Sequence, residues 1–533
     1  MTSAGLRRAA WVVSLATLLS RLLGLLREQL FAALFGASSL ADAFVAAFRI
    51  PNLLRDLLAE GALSGALVPA LRGRLVAQGA AAAHRLAAAL AGNLAVVMGA
   101  AVLVAVAVAP QLVDGIAGEY ARVPGKLEMT VLLMRVMLPF LVLVSLSAVA
   151  MSLQHAHERF LAPALAPAVF NVVAVGVGVG LYLGGARGRW VAIGWALGTV
   201  LGGVAQLGLQ LPGLWSRGWR PRWRTDLRLR DPAVRAVAVA LLPAIAGVAA
   251  VQLNVFINTV FASREPGAVA WLNYAFRFLQ LPVGVFGVAI ATVSTARYAD
   301  AAAAGARDRV RDSLVEGLRM VLLLCAPATV GLLVLDEAIL RLLYQRGRFS
   351  AQDTAAAAAA LECYAAGMIA FAAVKVIAPA FYALGKVRVA VIAALGSVAV
   401  NAVLNAALQP AFGYRALALC TAGAALANGA ALYLAFGGAV APLPHRALFR
   451  FAARVALACV VMGACVREAH RLTDRWIGHY YTGQRLAETL IPVALGALVY
   501  ALACVALGIE EVVAVRSRVR GKLARRRRGS DDP

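Results

Sequence analysis

Apolar runs of about 20 residues recur along almost the whole chain, and a run of that length is what a helix needs to cross the hydrocarbon core of a bilayer. Lipid offers no partner to a bare peptide group, so each such run must satisfy its own backbone as a helix. Composition agrees with this restriction: of 533 residues 62% are hydrophobic and 14% charged, with a mean hydropathy of +0.80. The expected fold class is an all-α polytopic membrane protein with about fourteen transmembrane helices, and no large soluble domain. The runs place the helices near residues 10–34, 41–68, 86–110, 129–153, 162–184, 190–212, 233–262, 268–294, 312–334, 354–383, 388–409, 413–436, 448–467 and 487–508.

The formal net charge of +25, from 51 Lys+Arg against 26 Asp+Glu, raises nucleic acid as a partner. In a membrane protein it has a simpler source, because arginines collect in cytoplasmic loops. Starting the first helix inside, alternate connections hold Arg72, Arg74 and Arg85, then Arg217 to Arg230, Arg297 to Arg311, Lys386 and Arg388, Arg446 and Arg450, and the run from Arg516 to Arg528. Both termini are therefore expected in the cytoplasm, and no nucleic-acid partner is expected. Trp215, Trp219 and Trp223 alternate with arginines and read as an interfacial anchor, and Arg525 to Arg528 read as a disordered tail touching anionic membrane lipid. The six cysteines lack CxxC pairing and read as small buried hydrophobes. The first apolar run lacks an Ala-x-Ala cleavage site and reads as a retained helix.

Four arginines fall inside the apolar runs: Arg21 and Arg27 in the first, Arg55 in the second and Arg277 in the eighth. A charge near the bilayer centre costs at least about 2.5 to 3.5 kcal/mol, so such residues face a watery cavity and mark what passes through it. Several cations in one cavity imply an anionic cargo. Arg21 stands about twelve residues into its run, roughly 18 Å at 1.5 Å per residue, too deep for easy snorkelling. Glu28 is two turns away and does not reach it directly, whereas Arg27 lies about 120° around the helix and helps to line one wall. In the second run Pro51 invites a kink, Asn52 and Arg55 share a face, and an Arg55 pairing with Asp56 or Glu60 is the structural alternative.

A weak internal repeat organises the chain. Phe31-Ala32 precedes Ala47-Phe48-Arg49 and Pro51, and Phe261-Ala262 precedes Ala275-Phe276-Arg277 and Pro282, at an offset of about 230 residues. This sets helices one to six against helices seven to twelve as two six-helix lobes around a central cavity, with a cargo site between them. The expected domains are an N-lobe over 1–230, a C-lobe over 231–440, helices thirteen and fourteen over 441–510, and a basic tail over 511–533.

The same residues carry a resemblance. Ser20-Arg21, Gly24, Arg27, Gly36, Asp42-Ala-Phe44, Pro51-Asn52-Leu-Leu-Arg55, Ala59-Glu60-Gly61-Ala62 and Val68-Pro69 resemble the signature of the MurJ (MviN) lipid II flippases. Pro163, Pro167 and Asn171 resemble the family's fifth helix, Tyr274-Ala-Phe-Arg277 and Pro282-x-Gly284 its eighth, and Val374-Lys375-Val376 with Ala378-Pro379 its tenth. The resemblance covers nearly the whole chain. It implies the fold of the multidrug/oligosaccharidyl-lipid/polysaccharide superfamily, with helices thirteen and fourteen forming a lipid-tail groove. It also implies lipid II, an undecaprenyl diphosphate carrying the peptidoglycan precursor, as cargo, and Arg21, Arg27, Arg55 and Arg277 as its binding residues. Guanidinium groups grip diphosphate oxygens in bidentate fashion, which suits that reading. Asp42, Pro51, Asn52 and Glu60 are assigned to gating or helix packing.

The chain departs from the family pattern at Phe276, where many relatives are acidic, and at Gln280, a position that can be Glu. That leaves Arg277 freer to bind anion and puts ion coupling in doubt. A sodium site would draw on Asn401, Asn405, Thr421 and Asn258, all neutral, and interhelical hydrogen bonding is the stronger reading of these residues. Sodium or proton coupling stays open, and no cofactor is expected. Gly176, Gly180 and Gly184 read as helix-packing notches rather than a nucleotide loop, and His155-x-His157-Glu158 as surface residues. No Walker motif appears. The expected function is a lipid II flippase of the inner membrane working by alternating access, a transporter and not an enzyme, acting as a monomer and open to contact with cell-wall synthesis proteins. The alternatives are an exporter of another polyprenyl-linked oligosaccharide or of drugs, and, further off, a membrane glycosyltransferase.

Overall fold

The computed structural model describes residues 3–59, 62–219, 225–227 and 230–512, and every described element is helical. They form two compact units. The first, residues 1–270 with 346–349, holds α1 (Ser3–Phe35), α2 (Ser39–Ala59), α3 (Ala62–Ala107), α4 (Ala109–Ala117), α5 (Lys126–Met137), α6 (Phe140–Ala156), α7 (Leu161–Leu183), α8 (Arg189–Gly208), α9 (Leu211–Trp215) and α10 (Pro232–Ala262). The second, residues 271–345 with 350–533, holds most of α11 (Ala268–Pro282) and then α12 (Val288–Ala303), α13 (Arg307–Tyr344), α14 (Ala351–Ala365), α15 (Met368–Ala383), α16 (Val387–Phe412), α17 (Tyr414–Ala439), α18 (His445–Ile477) and α19 (Thr482–Ala506).

Among the described residues, each of the expected segments falls mostly on helix. Ten spans among the described residues are long and apolar enough to cross a membrane, eleven if the bent pair α14 and α15 is one span. α1, α2 and α10 stand where the other three are expected. The chain is a multi-pass membrane protein.

Two boundaries differ from the sequence expectation. Helix two ends at Ala59 rather than near 68, and α3 begins at Ala62 and runs for 46 residues, bending at Gly79 (φ 79°). Ala- and Leu-rich sequence from 62 to 78 carries helix through what reads as a basic loop. Helix ten is broken between α14 and α15, bent by 45°. At the break a Cβ on Gly367 would stand 2.6 Å from the Ala422 backbone, so the bend brings two backbones closer than any side chain permits.

In the first unit α3, α6 and α10 share a core of Leu67, Leu71, Leu86, Leu153, Val234 and Val237. Trp219 belongs to that core, not to an interfacial belt: Gly218 takes a left-handed turn (φ 79°) and the Trp219 amide donates to Leu214 O at 3.1 Å, folding the ring inward. Trp215 stays half exposed, and Arg220, Arg222, Trp223 and Arg224 lie outside the described residues, as does the tail from 513. α7 and α8 meet through glycines, but not those expected. A Cβ on Gly178 would lie 2.2 Å from the Trp195 ring and one on Gly198 2.6 Å from Ala174 O, whereas Gly176 and Gly180 face open space.

The turn after α1 is locked by a reciprocal glycine contact. Gly36 (φ 59°) and Gly347 (φ 60°) would each drive a Cβ to within 2.4 Å and 2.3 Å of a carbonyl, Arg348 O and Ala33 O respectively. The Arg348 amide donates to Ala33 O at 2.8 Å.

In the second unit α12, α13, α15, α16 and α17 enclose Tyr298, Val321, Val376, Phe381 and Phe436, while α18 and α19 close a smaller core against α13 around Phe451, Val455 and Cys504. Both halves of the repeat have the same local form, a helix ending near Phe35 or Ala262, a short turn, and a helix carrying the Ala-Phe-Arg triplet.

Candidate cargo site and helix fastening

α1 is unbroken from Ser3 to Phe35, so Arg21 and Arg27 sit well inside a helix. Arg21 is exposed and makes no ion pair among the described residues. Arg27 is mostly buried, pairs with Glu28 at 3.0 Å, and lies over the Phe170 ring at 5.6 Å. Glu28 thus answers its chain neighbour, not Arg21. α1 lies on α7 through Gly24, where a Cβ would touch Asn171 at 3.5 Å, and through the Asn171 amide donating to Ser20 O at 3.4 Å. A file of rings, Phe31, Phe44, Phe48, Phe140 and Phe170, spaced 5.0 to 6.4 Å between neighbours, continues from the α1 end to the ring beneath Arg27.

α2 continues through the buried Pro51 to Ala59, with Asn52 half-buried beside it. Arg55 is on the α2 backbone, but its side chain is outside what is described, and Glu60 lies outside the described residues.

Asp42, the fourth residue of α2, is fully buried and is the best-built polar site in the first unit. Its Oδ2 accepts from Lys126 Nζ at 2.8 Å and from the Gly267 amide at 2.8 Å, and its Oδ1 accepts from the Ala270 amide at 3.0 Å. α11 has no acidic residue in its own first turn, so its leading N–H groups take their acceptor from another helix. Lys126, also buried, starts α5, where a cation meets the wrong end of the helix dipole and Asp42 offsets it. Its ammonium stands 3.9 Å from the Tyr120 ring centroid. Burial, with the Asp42 charge beside it, pushes the Tyr120 hydroxyl well above the usual tyrosine range, so the ring stays neutral under the lysine.

Lys126 and Tyr120 escaped the sequence reading. The available signal was that Lys126 is one of only four lysines in an arginine-dominated chain.

In the second unit Arg277 is exposed on α11. Phe276 is half-buried, 5.2 Å from Tyr364 and 6.3 Å from Phe371 ring to ring. A π turn, Val283–Gly287, follows Pro282 five residues beyond Arg277. Asn401 and Asn405 are fully buried one turn apart on α16, and the Thr421 hydroxyl donates to Leu417 O on its own helix at 2.7 Å. Asn258 belongs to the first unit. This set offers neutral oxygens and no carboxylate, whereas hard cations take oxygen ligands that commonly include one. Among the described residues the one group of three His, Cys, Asp or Glu side chains with metal-ligand proximity is Asp474, His479 and Glu488. Arg341 already holds Glu488 at 2.8 Å, and His479 holds Asp474 at 2.7 Å.

The family model of lipid II flippase MurJ matches residues 31–502 of this chain. The chain belongs to the MurJ family. The lipid II flippase MurJ of Burkholderia cenocepacia is 34% identical over 432 residues, covering 80% of this chain and 83% of that one. The probable lipid II flippase MurJ of Vibrio cholerae serotype O1 is 32% identical over 520 residues, covering 95% and 97%. A solved MurJ in an inward closed conformation shares the fold at a TM-score of 0.77, with 21% identity over 94% of this chain and 99% of that one. An inward-facing multidrug transporter of the MATE family shares it at 0.64, with 13% identity over 83% and 98%.

Proposed function

We propose that this chain is a lipid II flippase, moving the undecaprenyl-diphosphate-linked peptidoglycan precursor from the inner to the outer leaflet of the cytoplasmic membrane by alternating access. It is a transporter and not an enzyme. The observation that carries the reading is the MurJ match across residues 31–502.

Arg21, Arg27, Arg55 and Arg277 hold the diphosphate. Arg21 supports this most directly, because its guanidinium is exposed deep within a helix and makes no ion pair among the described residues. A diphosphate accepts paired N–H donors, and guanidinium is the group that supplies them in a plane. Asp42 fastens α2 to the start of α11, and its release or retention gates the movement, with Pro51, Asn52 and Glu60 shaping the same helix. Both termini face the cytoplasm, where the loop arginines collect.

The test uses cells depleted of their own flippase and expressing this chain, its Arg21→Ala form or its Arg277→Ala form, with an external probe that cleaves exposed lipid II headgroups. Restored cleavage by the wild type alone supports both cargo and arginine clamp. Restoration by the variants overturns the clamp, and failure of the well-expressed wild type overturns the cargo.

A further inference from the structure

A pocket of about 150 Å³ opens at the end of the second unit where α18 begins, and its wall carries Arg319 from α13, Arg450 and Arg454 from α18, and Glu510 and Glu511 from the segment after α19. None of the cargo arginines lines it. Its floor is Phe451, buried in the core, with the Arg319 guanidinium 5.3 Å from the ring centroid. Arg319 reaches Glu511 at only 3.5 Å, and its buried Nε has no partner among the described residues. Arg450 and Arg454 are exposed, one turn apart, and make no ion pair among the described residues. Three guanidiniums against two carboxylates leave the wall net positive.

The surface above the pocket completes the pattern. Arg450, Arg454, Leu457 and Val461 follow one another at four, three and four residues, a single stripe of α18. Leu457 and Val461 are exposed, 52% and 44%. The stripe therefore passes from cation to apolar surface within about 10 Å along the helix, in the order in which a phospholipid passes from phosphate to acyl chain. The loop charges assign this end of α18 to the cytoplasmic face, where anionic lipid lies.

We propose that this pocket binds a membrane glycerophospholipid, its phosphate held by Arg319, Arg450 and Arg454 and its acyl chain lying along Leu457 and Val461. The bound lipid holds α18 to α13 at the membrane surface. The chemistry is charge-assisted hydrogen bonding to phosphate oxygens over an aromatic floor, and the apolar stripe selects a lipid over free phosphate.

Native mass spectrometry of the full chain in detergent, titrated with phosphatidylglycerol, tests this. At roughly fivefold per arginine near a lipid headgroup, Arg450→Ala with Arg454→Ala weakens binding about twenty-five-fold. Arg309→Ala, an exposed arginine near the start of α13 that does not line the pocket, leaves it unchanged, as does millimolar inorganic phosphate. Both variants remove exposed side chains and keep the wild-type melting temperature. Wild-type affinity in the double variant overturns the site, an equal loss in Arg309→Ala reduces it to diffuse surface charge, and displacement by inorganic phosphate overturns the lipid as occupant.

Discussion

Replacing Asp42 by Asn separates the ionic from the steric role of the buried fastening. The amide has the carboxylate's shape but no charge, and its NH₂ must face a donor, since Lys126 Nζ and the Gly267 and Ala270 amides all point at this side chain within 3.0 Å. Lys126, 3% exposed at its side chain, is then left as a buried cation over the Tyr120 ring without its counter-ion. Removing one partner of a buried pair costs about 3 to 5 kcal/mol. Lys126→Met costs less, roughly 1 to 3 kcal/mol, because Asp42 keeps two backbone donors at the start of α11. In the double variant neither charge remains unpaired, so the two losses do not add, and the coupling is at least about 2 kcal/mol. The assay is reversible unfolding in mixed micelles, followed by tryptophan fluorescence, for the four members of the cycle. An Asp42→Asn loss under about 1 kcal/mol, or strict additivity, would refute the claim that this carboxylate binds α2, α5 and α11 together.

The α7–α8 contact gives a paired prediction: Gly178→Ala forces a methyl into the Trp195 ring and lowers unfolding stability by about 1 to 3 kcal/mol, while Gly176→Ala, facing open space, changes it by less than about 0.5 kcal/mol, and equal effects would refute the assignment. His157 lies with its Nε2 3.3 Å from that of His84, and burial, then the charges of His84, Arg217, Arg159 and Arg72, hold its pKa below the ordinary histidine value. The folded state therefore binds its proton less readily than the unfolded state, so stability at this end of α6 is full above about pH 6.5 and falls as the pH drops below it. Hydrogen exchange around residues 153–157 should quicken between pH 7.5 and 5.5 in the wild type and less so in His84→Gln; pH-independent protection would remove the pair from the account.

Helix positions were legible because an apolar run and a membrane span are nearly the same statement, and Ala390 to Asn405 or Leu448 to Arg467 left no competing reading. Boundaries were less so: the 62–78 stretch mixes Arg72 and Arg74 with alanines and leucines, and local propensity carries helix where a charge count sees a loop. The α7 glycines show why spacing alone misleads, since Gly176, Gly180 and Gly184 share a stripe but the direction of α8 selects Gly178. Trp219 looked interfacial because the left-handed turn at Gly218 that buries it has no side-chain signature beyond the glycine itself. The arginines of the candidate site were visible as charges in apolar sequence. Their partners were not: Lys126 is 84 residues from Asp42, and Gly267 is 225, separations at which only the folded chain decides who meets whom.

The π turn after Pro282 has a consequence for how this protein tolerates changes in length. There the Val288 amide bonds to Val283 O, five residues back, so one residue more than an α-helix needs is held within the turn. Anywhere else in the 268–303 span a single deletion would rotate everything beyond it by about 100°, turning Arg277 and the buried Tyr298 out of step. Removing Gly284, which has no neighbour within 4 Å of where a side chain would begin, would instead convert the turn to ordinary helix and leave both flanks aimed as they are. The turn is slack in the span, and it is the one described place where this helix can lose a residue without losing its sense of direction.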